Sequence, residues 1–260
     1  MKFQIFLTPA AVTQFLLRVV AFLVVISFLT QMTVYFLPDY PSRDLFAKAF
    51  SVDNEGNIPT VYSVLALLFS SILLGTIAHA KNLDSDRYKK HWKILSFIFL
   101  YLSLDEAGQI HEKFIDPMRS LLNATGVLYF TWIVPIGFMV AIFLLSYTKF
   151  LFHLPASTRN LFIAASILYI GGALGMEMVG GYQAYTVGMY NLPYLITVTI
   201  EELLEMLGIV VFIHALMSYV NKYLGGASWK ISLGKNQQVS ESAGIDMAAI
   251  SESVNRKSRS

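Results

Sequence analysis

Residues 194–221 read YLITVTIEELLEMLGIVVFIHALMSYVN. The run is mostly apolar, and its only carboxylate or basic side chains are Glu201, Glu202 and Glu205 near its start and His214 further along. Wound as a helix, it reaches past the roughly 30 Å of a bilayer's hydrocarbon core. A helix that is apolar all round belongs in a large core or in lipid. Five runs of the same kind precede it: Val12–Leu37, Pro59–Ala80, Lys93–Phe114, Gly126–Tyr147 and Asn160–Val187. The expected fold is all-α, a polytopic membrane helix bundle of about six transmembrane helices.

Composition agrees. The chain is 55% hydrophobic and only 14% charged, where a soluble domain carries about 25% charged residues. Its mean hydropathy is +0.57. There is no cysteine, which excludes disulfides, thiolate metal sites, cysteine nucleophiles and iron–sulfur clusters. The basic residues are scattered around the spans and form no stripe, so no nucleic acid partner is expected. Lys2 is followed by an apolar stretch that outruns a signal-peptide core and ends without a small-x-small site, so it reads as a retained span.

Lys and Arg number 19. With alternating spans, Arg43, Lys48, Lys113 and Arg119 fall on one side and the other fifteen on the opposite side or just inside it. The positive-inside rule makes the crowded side cytoplasmic. Both termini are then cytoplasmic, and the expected localisation is a multi-pass protein of a bacterial inner membrane. Residues 1–224 read as one transmembrane domain. Residues 225–260, rich in Ser, Gly, Asn, Gln and charge, read as a disordered cytoplasmic tail. The run Asp53-Asn54-Glu55-Gly56-Asn57 resembles part of a calcium loop but lacks its spacing and closing Glu, and reads as a plain turn. Asp116-Pro117 reads as the start of a short surface helix.

The acids carry the functional signal. Seven lie inside the expected spans: Asp105, Glu106, Glu112, Glu177, Glu201, Glu202 and Glu205. Each charge near a bilayer centre costs at least about 2.5 kcal/mol on insertion scales. Counted along their spans, Asp105, Glu177 and Glu201 reach one depth, in the outer half of the membrane. On an ideal helix Asp105, Gln109 and Glu112 share a face within about 60°, whereas His111 and Glu106 turn away from Asp105. Glu177 lies among Gly171, Gly172, Gly175, Gly180 and Gly181, which admit a close neighbour. Lys113 is the one cation near the set, so protons, a bound cation or rim water must neutralise the carboxylates.

These residue types suit a hard or borderline divalent metal such as Zn, Fe, Mn or Mg. Asp105, Glu112, Glu177, Glu201 and Glu205 are the candidate ligands. Asp105, His111, Glu201 and Glu205 are the candidate catalytic groups. The sequence holds no Glu-x-x-His and no His-x-x-x-His, so spacing does not single out a metal. A polar network that merely ties helices together is the bland alternative. Its hydrogen bonds return only about 0.6 kcal/mol each.

Ser103-Leu104-Asp105-Glu106, followed by His111-Glu112, resembles a motif of uncharacterised bacterial multi-pass membrane proteins. That resemblance implies a bacterial inner-membrane protein and no particular activity. Three functions remain open. The first is a metal- or proton-dependent enzyme on a lipid-like substrate. The second is a cation or proton-coupled transporter. The third is an assembly protein that uses the glycine-rich fifth span. The expected partners are the lipid bilayer, a lipid or cation ligand, and a second copy of the chain as a homo-oligomer.

Overall fold

The structure is a computed structural model that describes residues 3–4, 8–38, 40–54, 56–224 and 230–231. Phe3–Gln4 pairs antiparallel with Lys230–Ile231 in a small unit of its own. The rest of the 225–260 tail lies outside the described residues.

The main unit is all-helical. Its elements are α1 (Pro9–Phe36), α2 (Arg43–Phe50), α3 (Ile58–Leu83), α4 (Lys89–Gly108), α5 (Ile115–Leu122), α6 (Ile133–His153), α7 (Ala156–Ile170), α8 (Glu177–Val187) and α9 (Leu192–Tyr223). A π-helical stretch, Gly171–Met176, joins α7 to α8 without a break. Five helices are long and apolar enough to cross a membrane: α1, α3, α6, the α7–α8 helix and α9.

Local chemistry sets the ends. Thr8 accepts the Ala11 N–H ahead of Pro9. Asn57 and Thr60 form a reciprocal capping box at the start of α3. Asn191 accepts the Tyr194 N–H ahead of Pro193. Each cap satisfies donors that a helix leaves orphaned, and each proline sits where its missing N–H costs nothing. The expected spans meet these helices within a few residues, with two exceptions. The third run stops at Gly108, six residues before Phe114, because Gln109 turns left-handed at φ 52°. The fourth begins at Ile133, after a 3-10 turn at Gly126–Leu128.

Paired contacts give the register. On α3 and α4, Ser71 meets Ser96 and the Ser103 hydroxyl donates to the Val64 carbonyl at 2.9 Å, so the two run antiparallel. Small residues allow this approach, as a Cβ on Gly75 would sit 3.2 Å from the Ser96 hydroxyl. The bond to Val64 also occupies Ser103 structurally. Helix α9 is the central post. It runs antiparallel to α4 through Phe99–Phe212 and Trp92–Tyr219, to α7 through Gly208 against Ala165 and Tyr169, and to α1 through Thr13 against His214 at 2.8 Å. Helix α6 is peripheral, with Phe138 and Leu145 exposed and Phe150 buried against Trp92.

The two ends of the bundle differ. One gathers the α3–α4 turn, the α6–α7 turn and the end of α9, with Lys81, Arg87, Lys89, Lys90, Arg159 and Lys222. The other gathers α2, the end of α4, the start of α6, α8 and the start of α9, where the acids lie. At that acidic end Ser27 is fully buried and its hydroxyl accepts the Val52 N–H at 3.0 Å, pinning the loop after α2 to α1. Ser27→Ala leaves that N–H unpaired. It is expected to cost about 1–2 kcal/mol, read as a lower unfolding midpoint in detergent.

Candidate functional site

Asp105 closes the last turn of α4. One carboxylate oxygen accepts the His111 backbone N–H at 3.0 Å, and the other meets His111 Nδ1 at 2.8 Å. The helix has ended by then, so the ideal-helix expectation that His111 points away from Asp105 is corrected. The left-handed Gln109 folds the chain back and brings the two side chains together. The same turn corrects Glu112, which leaves the face of Asp105 and sits in a 3-10 turn. Lys113 donates to the Gly108 carbonyl at 2.6 Å and so caps α4.

The site continues through the indole of Trp132, whose ring lies 4.9 Å from that of His111. Trp132 Nε1–H donates to Glu177 at 2.9 Å. Glu177 directly follows the π stretch, and its N–H reaches five residues back to the Gly172 carbonyl. Such bulges are frequent at functional sites. Glu201, 7% exposed on α9, has Glu177 as its foremost charged neighbour, followed by Glu205 and Glu202.

Glycine makes this contact. A Cβ on Gly172 would come within 2.8 Å of both the Glu201 carbonyl and the Glu205 side chain, and one on Gly180 would lie 3.9 Å from the Glu201 carboxyl. Gly171 and Gly175 face open space instead. The expected close neighbour of this helix is therefore α9, and it is met by part of the glycine set.

Sequence reading set Glu106 and Glu202 aside. The structure brings them in: Glu202 interacts electrostatically with Glu205, Glu106, Asp53 and Glu177, and Tyr169 with Glu205, Glu106, Glu202 and Asp105. Facing had been judged against Asp105 alone, whereas α9 packs against several faces at once. Asp53, Trp132, Tyr169 and Tyr194 were missed as well. Asp53 was visible only as part of a turn. Its carboxylate lies 3.5 Å from the Tyr194 hydroxyl, which donates to it.

Asp53 and Glu112 line an open cavity of about 900 Å³ with Lys48, Asn54, Asn57 and Gln109. Leu45, Ala49, Ile58 and Val61 complete its wall, so polar and apolar surfaces meet there. Desolvation, then the nearby Glu177 carboxylate, push the Asp53 carboxyl up to about 6 against the opposing Tyr194 bond. A raised acid favours the folded state fully below the unfolded value near 4, and that favour is lost as pH rises through 6. Asp53→Asn should therefore gain stability relative to the parent between pH 4 and 6. Water at the open lip holds the gain under about 1 kcal/mol. Unfolding midpoints across that range check it; a pH-independent difference would reject it.

Among the described residues no three His, Asp or Glu side chains are grouped as a metal ion requires. His214, paired with Thr13, belongs to the α1–α9 contact. The family model of the domain of unknown function DUF8692 matches residues 16–220, and the chain belongs to that family. Neither the curated proteins nor the solved structures contain a match.

Proposed function

We propose that this member of the DUF8692 family is a six-span membrane protein, with both termini cytoplasmic, that holds protons or a cation in a carboxylate chamber and acts there on an amphiphile. The sixth span is α4, whose 20 residues make about 30 Å of helix. The basic end of the bundle is the cytoplasmic one, which puts the acids in the outer leaflet.

The observation that carries this reading is the close packing of the Gly171–Met176 stretch and α8 on α9, with Gly172 against the Glu201 backbone and Gly180 against its carboxyl, which sets the acids Glu177 and Glu201 beside each other. Two carboxylates at that range cannot both stay charged without a proton or cation between them. Asp105 and His111 add a second titratable pair, suited to proton exchange with a substrate. The groove, lined by polar and apolar side chains together with the acids Asp53 and Glu112, has the mixed surface that would suit a lipid-like molecule.

One-sided access favours an enzyme over a transporter. Below Glu205, the side chains of Met206, Ile209, Val210, Ile213 and Leu216 are buried to 3% exposure or less, and none is polar. Cation or proton-coupled transport is the second reading, supported by the number of acids at one depth.

The test uses detergent-purified protein beside its Glu201→Gln and Glu205→Gln variants. Infrared spectra report protonated buried carboxyls, and mass spectrometry reports bound metal. The expected result is a protonated-carboxyl band that Glu201→Gln removes. A stoichiometric divalent metal lost in both variants would make the occupant that cation and support the metal-dependent form. Neither band nor metal in folded protein would overturn the proposal.

A further inference from the structure

A second cavity lies at the basic end, far along α9 from the acids, and the site above makes no use of it. It is a half-open space of about 270 Å³. Its walls are ring systems contributed by α4, α9 and the turns beside them. Trp92 and Tyr219 lie 5.1 Å apart, Tyr219 and Tyr223 also 5.1 Å, and Tyr88 lies 4.7 Å from His153. Trp92 and Phe150 are almost wholly buried behind it.

Charge enters this ring cage in an ordered way. Lys81 reaches in from the end of α3, 3.4 Å from Asp86 and 5.8 Å from the centre of the Tyr219 ring. Asp86 is already committed: its second oxygen accepts the Tyr88 N–H at 2.7 Å. At the rim, Arg87 lies 5.5 Å from the Tyr88 ring centre and Lys222 lies 5.4 Å from that of Tyr223. Lys81, His153 and one carboxylate, Asp86, line the cavity, and two further cations, Arg87 and Lys222, stand beside the Tyr88 and Tyr223 rings that line it. Lys81 and Asp86 offset each other, so the excess positive charge that would attract an anion comes from Arg87 and Lys222 beside the cavity. The cavity's volume, just under the range of pockets for drug-sized ligands, suits one small head.

The geometry points to a binding site for a phosphate ester, with the phosphate on Lys81, Arg87 and Lys222 and its glycerol-like part against the rings. Such an ester has two sources, an anionic phospholipid or a free metabolite. Basic pockets between helices at the cytoplasmic face are where anionic headgroups bind. Tyrosine and tryptophan suit that depth because one end is apolar and the other wet.

Native mass spectrometry on the full detergent-purified chain tests this, with phosphatidylglycerol, phosphatidylcholine, glycerol 3-phosphate and inorganic phosphate as probes. The expected result is retention of phosphatidylglycerol over phosphatidylcholine by at least about tenfold, a difference near 1.4 kcal/mol. The Arg87→Gln, Lys222→Gln double variant, altered only at the rim, should lose that preference, and Arg87→Lys, Lys222→Arg should keep it. Lys81→Gln should lose it too. Glycerol 3-phosphate binding that the same variants abolish, without a lipid preference, would support the ester site and assign it to a soluble source. Equal retention of the two lipids with no binding of either phosphate would overturn it, as would a rim variant that binds like the parent.

Discussion

Trp92→Ala lowers the unfolding midpoint more than any other single truncation expected here. The indole is 1% exposed and touches Phe150, Phe162 and Tyr219, so it joins α4 to α6, α7 and α9 at one point. In a soluble core such a truncation costs about 3–5 kcal/mol. Lipid removes part of the transfer cost, because a bilayer is as apolar as the core. The vacated volume and its lost dispersion contacts remain, which leaves a loss of about 2 kcal/mol or more. Reversible unfolding in mixed micelles measures it. A loss under about 0.5 kcal/mol would mean that the helices close around the gap and that the packing there is loose.

Gly172→Ala strikes the other end. The new Cβ would meet the Glu201 carbonyl at 2.8 Å and the Glu205 backbone nitrogen at 3.2 Å. Backbone cannot rotate aside as a flexible side chain does, so α9 must move off the π stretch. Overpacking of this kind costs about 1–3 kcal/mol. It should also part Glu177 from Glu201, because both flank the contact. The expected outcome couples two readouts: a lower midpoint and loss of the protonated-carboxyl band. Gly175→Ala, where a Cβ meets nothing within 4 Å, is the control and should change neither. A Gly172→Ala protein with parental stability and an intact band would refute the contact as described.

The helical class and the placement of the long spans were legible because hydrophobic runs of this length admit few other states. That acids of different helices would lie at one level along the bundle was legible for the same reason: it needs only a count of residues along a helix. Facing was less so. A helical wheel assumes an unbroken helix, and α4 breaks at Gln109, which is how Asp105 and His111 came together against expectation. The Asp53 loop was opaque, since its position depends on where Ser27 holds Val52, a contact between residues 25 apart in the chain. Trp132 carried no signal apart from other aromatics. Its role arises only when α6 begins beside α8.

The π stretch has one more consequence, concerning helical phase. In an α-helix each residue advances the direction of its side chain by about 100°. A bond reaching five residues back, as from Glu177 to Gly172, accommodates one residue more than a plain turn holds. Everything beyond Met176 is therefore rotated by roughly one residue's step against everything before Gly171. Deleting any one residue of this stretch would keep both helices and their apolar character, yet swing Glu177 away from α9. The information in Gly171–Met176 is thus partly its length, and a one-residue deletion there would act on the carboxyl pair without touching either carboxyl.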